Sequence, residues 1–104
     1  LGPALVTPDE FANPDDLEIG CSIDDVRVQS ARTTDLIFSV PEVVSFLSGI
    51  LPLLPGDVIF TGTPAGVGFA HKPPRYLKAG EVLSTFIEGI GTMRHRMVAG
   101  HSRQ

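Results

Sequence analysis

The sequence predicts a mainly β (α+β) fold with one substantial helix at about residues 41–50. Three observations carry this. Residues 17–31 alternate apolar and polar side chains about a central Asp24-Asp25. Residues 81–98 alternate again about Gly89 and Gly91. Both stretches have the period of two expected of half-buried strands. Between them, Val43, Phe46, Leu47 and Ile50 recur at helical spacing, with Val44 and Leu51 beside them.

Each element has its own local signal. Thr7-Pro8-Asp9-Glu10 can start a helix, with Thr7 as cap, proline in the first turn and Glu10 completing a capping box; Asn13-Pro14 keeps it short. Leu17, Ile19, Cys21 and Ile23 share one face of a strand. Asp24-Asp25 is a two-residue turn, and Val26–Ala31 return as the second strand of a hairpin. Cys21 falls on the apolar face and is expected in the core rather than as a nucleophile. Residues 32–38 lead into Ser39-Val40-Pro41-Glu42, a second capping signal, and the helix that follows should press an apolar face on the sheet. Leu51-Pro52 and Pro55-Gly56 end it. Val58-Ile59-Phe60 is expected to be a short buried strand. Residues 69–80, with paired prolines, lysines and Arg75, read as a surface crossing. Residues 81–90 and 93–98 complete the strands, and residues 99–104 are expected to form a frayed tail.

The totals set bounds. The 104 residues suit one domain, and a hydrophobic fraction of 42% is ordinary for a globular chain. Leu1 followed by Gly2-Pro3 reads as mid-protein, so a piece of a longer chain, a processed product or a truncated gene is expected. No apolar run approaches a membrane span, so no membrane partner is expected. The net charge of −4 argues against a nucleic-acid backbone as partner. Residues 1–58 hold ten acids and two bases, and residues 59–104 hold two acids and six bases; the imbalance is read as solvated faces. A single cysteine excludes an internal disulfide framework and any multi-cysteine zinc site, and favours a reducing, cytoplasmic setting.

The chemistry concentrates in residues 56–68, GDVIFTGTPAGVG. An apolar run gives way to a loop in which Gly62, Gly66 and Gly68 interrupt Thr61, Thr63, Pro64, Ala65 and Val67. Glycines let backbone N–H groups approach a ligand, successive N–H groups can form an anion-binding concavity, and Thr61 and Thr63 add hydroxyls. The alternative is a tight turn after a core strand. The spacing fits neither a P-loop nor a dinucleotide fingerprint. Elsewhere Asp16 and Glu18 are poor candidates for a metal pair, Asp24-Asp25 is turn chemistry, and Glu88 is a candidate buried acid. His71 lies beside the glycine loop; His95 and His101 are scattered, and no two histidines are spaced as metal ligands. No nucleophile–base set is visible.

Residues 56–68 reproduce the pattern GD-V/I-I-x-TGTP-x-GVG, and the chain is identified on it as resembling the fumarylacetoacetate hydrolase family. LGPALVTPDEF at 1–11, TTDLIFSVPEVVSFLS at 33–48 (the family's strand and following helix), LKAGE at 77–81 and IEGIGTMRHRMV at 87–98 extend the likeness in order over essentially the whole chain. The resemblance implies part of that family's β-roll, usually a homodimer. It implies a C-terminal portion, residues 1–104 forming a single partial domain, of an enzyme that uses Mg²⁺ or Mn²⁺ to hydrolyse, decarboxylate or isomerise 2-oxo acids. Acylpyruvate hydrolases and 2-hydroxyhepta-2,4-diene-1,7-dioate isomerases of aromatic catabolism are the nearest activities. It implies Thr63 as a substrate contact, with Gly62, Thr61 and Pro64 in the same wall. The family's metal ligands, a Glu-x-Glu pair and a later Asp, and its pocket lysine lie N-terminal to the segment where this chain begins. No metal ligand and no catalytic base are therefore expected here. Glu81 and His95 depart from the family's usual Asp and Asn. Two other readings stand beside the enzyme: a non-catalytic remnant or interaction module, and a phosphate-binding module using the glycine loop.

Overall fold

Two hairpins meet along their inner strands. In the computed structural model, which describes residues 1–101, β1 (Glu18–Ile23) and β2 (Val26–Arg32) form the first hairpin, and β3 (Val82–Ile87) and β4 (Gly91–Arg96) form the second. β1 pairs antiparallel with β3, which gives one four-stranded sheet of order β2-β1-β3-β4. The middle of the chain supplies the one helix, α1 (Val40–Ser48), and three short 3₁₀ turns lie at Pro8–Glu10, Thr33–Asp35 and Gly68–Ala70.

The first hairpin turns where the sequence expects. Asp24 and Asp25 both take positive φ, 47° and 66°, as a two-residue turn matched to strand twist requires. Asp24 offsets that strain by binding the neighbouring hairpin. Its N–H donates to the Val82 carbonyl at 3.0 Å, and its Oδ1 accepts from the Val82 N–H at 2.8 Å. Cys21 lies opposite Gln29 on one side and Thr85 on the other. At 8% exposure it is the one hydrophobic residue that is buried among those described.

α1 begins as expected. Ser39 Oγ accepts from the Glu42 N–H at 3.4 Å, and Glu42 Oε2 accepts from the Ser39 N–H at 2.7 Å. The Ser39 N–H foremost, and then its hydroxyl, which donates to Glu42 Oε2 at 2.8 Å, hold the Glu42 carboxyl below its ordinary value. The helix is not pressed on the sheet by its whole apolar face. Val43 and Leu47 are half-buried, whereas Phe46 is 69% exposed and Ile50 65%.

Four other expectations fail for related reasons. Val58-Ile59-Phe60 forms no strand, and Phe60 is 94% exposed. An apolar, β-prone run becomes a strand only when another edge pairs with it, and none among the described residues does. Residues 33–38 are likewise not a strand: Thr33–Asp35 curl into a 3₁₀ turn, held where Asp35 Oδ2 accepts from the Arg32 N–H at 3.1 Å. Thr7 makes no side-chain cap, and its helix is only the 3₁₀ turn Pro8–Glu10. Glu88 is exposed rather than buried, because the second hairpin turns at residues 88–90 and the last strand starts at Gly91, two residues earlier than expected. Of the expected tail, residues 99–101 join no element and residues 102–104 lie outside the described residues.

The surface is large for the chain length. Its accessible area is 8337 Å², against about 5,700 Å² for a compact monomer of this size. The radius of gyration is 16.3 Å, against about 13 Å for a compact domain of that length.

Candidate functional site

The glycine loop forms one wall of an open groove of about 610 Å³. Ile19, Ser30 and Ala31 of the first hairpin form the floor, Leu36 and Phe38 with Val43 of α1 face it, and Thr61–Ala65 close the side. The sequence therefore leads to a groove whose apolar body is built by the sheet and helix and whose polar rim is the threonine-rich loop, a common form for a small-molecule site.

Two contacts seat the loop on β2. Gly66, at φ 107°, lies so close to the Val28 carbonyl that a Cβ at this position would run into that oxygen. Glycine is required here by both space and conformation. Gly62, at φ 103°, has open space around it, so conformation alone asks for glycine. The second contact is Gln29. Its Nε2 donates to Thr63 Oγ1 at 2.9 Å and to the Pro64 carbonyl at 2.8 Å. Its Oε1 accepts from Cys21 Sγ at 3.1 Å. Burial raises the Cys21 thiol above its ordinary value, opposed by a backbone hydrogen bond from Gln29, so the sulfur stays protonated and serves as a donor.

Of the groove's other polar groups, Thr33 and Arg32 are already used. Thr33 Oγ1 donates to the Asp15 carbonyl at 3.0 Å and accepts from the Leu17 N–H at 2.9 Å. Arg32 gives its guanidinium to the Asp16 carboxylate and carbonyl, with Glu88 Oε2 at 3.5 Å. That hydrogen bond from Arg32 is the main reason the Asp16 carboxyl lies below its ordinary value. Among the described residues the N–H groups of Thr61, Gly62, Thr63 and Ala65 meet no protein acceptor, and the Thr61 and Thr63 hydroxyl protons have none either. The rim is thus a cluster of donors without acceptors, an arrangement suited to an anion.

The structure sorts the sequence candidates. Thr61, Gly62, Thr63 and Pro64 all line the groove. Glu88 does not: its Oε2 accepts from the Glu18 N–H at 2.8 Å and ties the second hairpin turn to the start of β1. His71 follows the 3₁₀ turn at 68–70 and is absent from the groove lining, and His95 sits on β4 opposite Leu83. Asp16 and Glu18 do not fit a metal pair, since one carboxylate faces Arg32 and the other faces Arg27 at 2.9 Å. Among the described residues no three metal-ligating side chains gather. The donor set of the described residues therefore does not form a metal site by itself. No helix among the described residues is long and apolar enough to cross a membrane.

Gln29 was not visible as a site residue in the sequence, where it is one polar residue of an alternating strand. Its place follows from the register: beside the bulge between Cys21 and Ser22 it lies opposite Cys21, which the alternation places in the core.

Comparison with known proteins agrees with this geometry. The family model described as "Fumarylacetoacetate (FAA) hydrolase C-terminal" matches residues 1–98. A 2,4-didehydro-3-deoxy-L-rhamnonate hydrolase from Sphingomonas sp. (strain SKA58) is 44% identical over 98 residues, covering 93% of this chain and 34% of that protein. A mitochondrial oxaloacetate tautomerase of Rattus norvegicus is 41% identical, covering 94% of this chain and 31% of its own length. The crystal structure of maleylpyruvate hydrolase from Sphingobium sp. SYK-6 in complex with manganese (II) ion and pyruvate superposes with a TM-score of 0.85 at 33% identity, covering 96% of this chain and 35% of that one. The chain thus spans about a third of the length of the relatives it matches. These relatives are enzymes, and the chain itself belongs to the fumarylacetoacetate hydrolase family, matching its C-terminal part.

Proposed function

We propose that residues 1–104 are the C-terminal partial domain of an enzyme that hydrolyses, decarboxylates or isomerises 2-oxo acids. An acylpyruvate hydrolase or a 2-hydroxyhepta-2,4-diene-1,7-dioate isomerase-like activity in aromatic catabolism is the best fit. The observation that carries this reading is the donor rim at Thr61–Ala65, whose unclaimed N–H and hydroxyl groups suit the carboxylate of such a substrate. Thr63 is the main contact, with Thr61, Gly62 and Pro64 shaping the wall. The relative solved with manganese and pyruvate supports a divalent ion, Mg²⁺ or Mn²⁺, in the whole enzyme. The family resemblance favours ligands outside this chain, and the Asp16-x-Glu18 carboxylates, the one acidic pair of that spacing, are committed to arginines. The single cysteine, kept reduced in the core, accords with a cytoplasmic enzyme, and the large exposed surface accords with a homodimer.

The test follows the enol absorbance of an acylpyruvate with Mg²⁺ or Mn²⁺, using the full-length enzyme and residues 1–104 alone. Chelator-sensitive turnover is expected from the former and none from the latter. Turnover by residues 1–104 alone would place the metal ligands inside them. In the full-length enzyme, Thr63→Ala should lower kcat/KM at least severalfold, on the order of 1–3 kcal/mol for a charge-assisted hydrogen bond; unchanged kinetics would remove Thr63 from the site. The second reading, a non-catalytic interaction module, is favoured by the surface excess alone. It would gain if the full-length protein turned over no 2-oxo acid.

A further inference from the structure

Thr63 is held by a side chain that no functional reading has assigned. Gln29 is half-buried on β2 and reaches out of the sheet to the loop. A carboxamide can be placed two ways round, and the chemistry of its neighbours decides between them. The Pro64 carbonyl only accepts, so Nε2 must face it, at 2.8 Å. The protonated Cys21 thiol donates, so Oε1 must face it, at 3.1 Å. The second Nε2 hydrogen then goes to Thr63 Oγ1, at 2.9 Å. A hydroxyl that accepts from this amide cannot return its proton to it. Among the described residues that proton has no acceptor, and Thr63 lines the groove.

We infer that Gln29 is a positioning residue which turns the Thr63 hydroxyl proton away from itself and toward the groove, so that Thr63 donates there. It thereby makes the loop select an anionic end of the ligand over a neutral, hydrogen-donating one. The inference rests on the proposed reading that a 2-oxo acid carboxylate meets Thr63. It adds a determinant of specificity: with the Cys21–Gln29–Thr63 chain intact, a carboxylate presents an acceptor to the Thr63 proton through either oxygen, while a carboxamide does so only through its single carbonyl oxygen. Replacing Gln29 with an ionised glutamate reverses the chain. Thr63 would then give its proton to residue 29 and turn lone pairs to the groove.

The experiment measures pyruvate and pyruvamide affinity by calorimetry, and kcat and KM with an acylpyruvate, in the full-length enzyme and its Gln29→Leu, Gln29→Met, Gln29→Glu and Thr63→Val variants. A Gln29→Leu/Thr63→Val double variant completes the set, and thermal midpoints check that each is folded. Gln29→Leu and Gln29→Met should each weaken pyruvate binding roughly tenfold, the loss of one well-placed hydrogen bond. Gln29→Glu should weaken it further; pyruvamide should change by less than about threefold in Gln29→Leu and Gln29→Met, and should not weaken in Gln29→Glu, where the reversed Thr63 accepts from its N–H₂. The kinetic loss should fall on KM more than on kcat. In the Thr63→Val background, Gln29→Leu should add less than about twofold, because it acts through the hydroxyl that is already gone. A merely structural role would weaken both ligands alike and would add to Thr63→Val. Either result overturns the inference, as does normal pyruvate binding by the Gln29 variants while Thr63→Val is impaired. If the unsubstituted enzyme binds no pyruvate, or Thr63→Val binds it normally, the 2-oxo acid reading of this loop fails and the inference falls with it.

Discussion

The sheet and the segment that follows α1 solve the same problem in different ways. Both contain residues at positive φ, and both must hold a reversal of the chain. In the sheet, the strained residues Asp24 and Asp25 are locked by two reciprocal hydrogen bonds between Asp24 and Val82, and the strands on either side bury Cys21 to 8% exposure. In residues 56–68, Gly62 and Gly66 turn without a ladder of hydrogen bonds, Phe60 stands 94% exposed, and the loop is held by Gln29 and by contact with Val28. The sheet is stabilised by repetition, the loop by a few particular atoms. A loop of that kind leaves its N–H groups free for a ligand, at the cost of depending on each attachment.

The comparison is broken most directly at Gly66. Gly66→Ala in the full-length enzyme brings a left-handed backbone penalty of about 1–2 kcal/mol and an overpacking term of about 1–3 kcal/mol against the Val28 carbonyl. The expected outcome is a clear fall in thermal midpoint together with loss of ligand binding. Gly62→Ala has a similar φ but open space, and should show only the first term, about 1–2 kcal/mol. Equal effects at the two glycines would mean that the loop is not seated on β2. On the sheet side, Asp24→Ala removes the side-chain acceptor for Val82 and leaves a non-glycine residue at positive φ. About 1–2 kcal/mol of destabilisation should follow, with no change in ligand affinity once folded. Altered pyruvate affinity in that variant would show that hairpin and loop are not independent.

How much of this could be read in the sequence depended on distance along the chain. The hairpin at 17–31 and the helix cap at Ser39–Glu42 are specified within a few residues, and both form as expected. The helical spacing of Val43 and Leu47 told which face turns inward, but not that Phe46 and Ile50 would lack cover, because cover comes from other chain segments. Val58-Ile59-Phe60 misled for the same reason: strand propensity is satisfied by a neighbouring edge, and a single run cannot say whether that edge is present. The threonines of the loop are marked as candidates by the glycine–hydroxyl pattern and its resemblance to a family motif, and both line the groove. Their support by Gln29 was not legible, since it needs the β1–β2 register, the Cys21 pairing and the approach of a segment 34 residues away at Thr63.

The smallest effect sharpens the contrast at the junction between the two regions, where α1 begins. Ser39→Ala removes the hydroxyl that accepts from the Glu42 N–H and donates to Glu42 Oε2 at 2.8 Å. About 1 kcal/mol of stability should be lost, as for other N-cap deletions. The same cap has a pH signature whose sign is fixed by its direction. The Glu42 carboxyl is lowered from 4.5 in the folded state, so the folded protein holds the charged form more tightly than the unfolded chain does. Its contribution is therefore complete above about 4.5 and disappears as the pH falls through the lowered folded value. The gap in thermal midpoint between the Ser39→Ala variant and its parent should narrow on acidification below that point, leaving the part due to the Glu42 N–H bond to Ser39 Oγ, which does not titrate. A gap that stays constant into strong acid would mean that the box is not coupled to the Glu42 charge. Because α1 supplies Val43 to the groove while the loop supplies the donors, a cap that loosens with acid should weaken the apolar wall before it disturbs the Gln29–Thr63 contact.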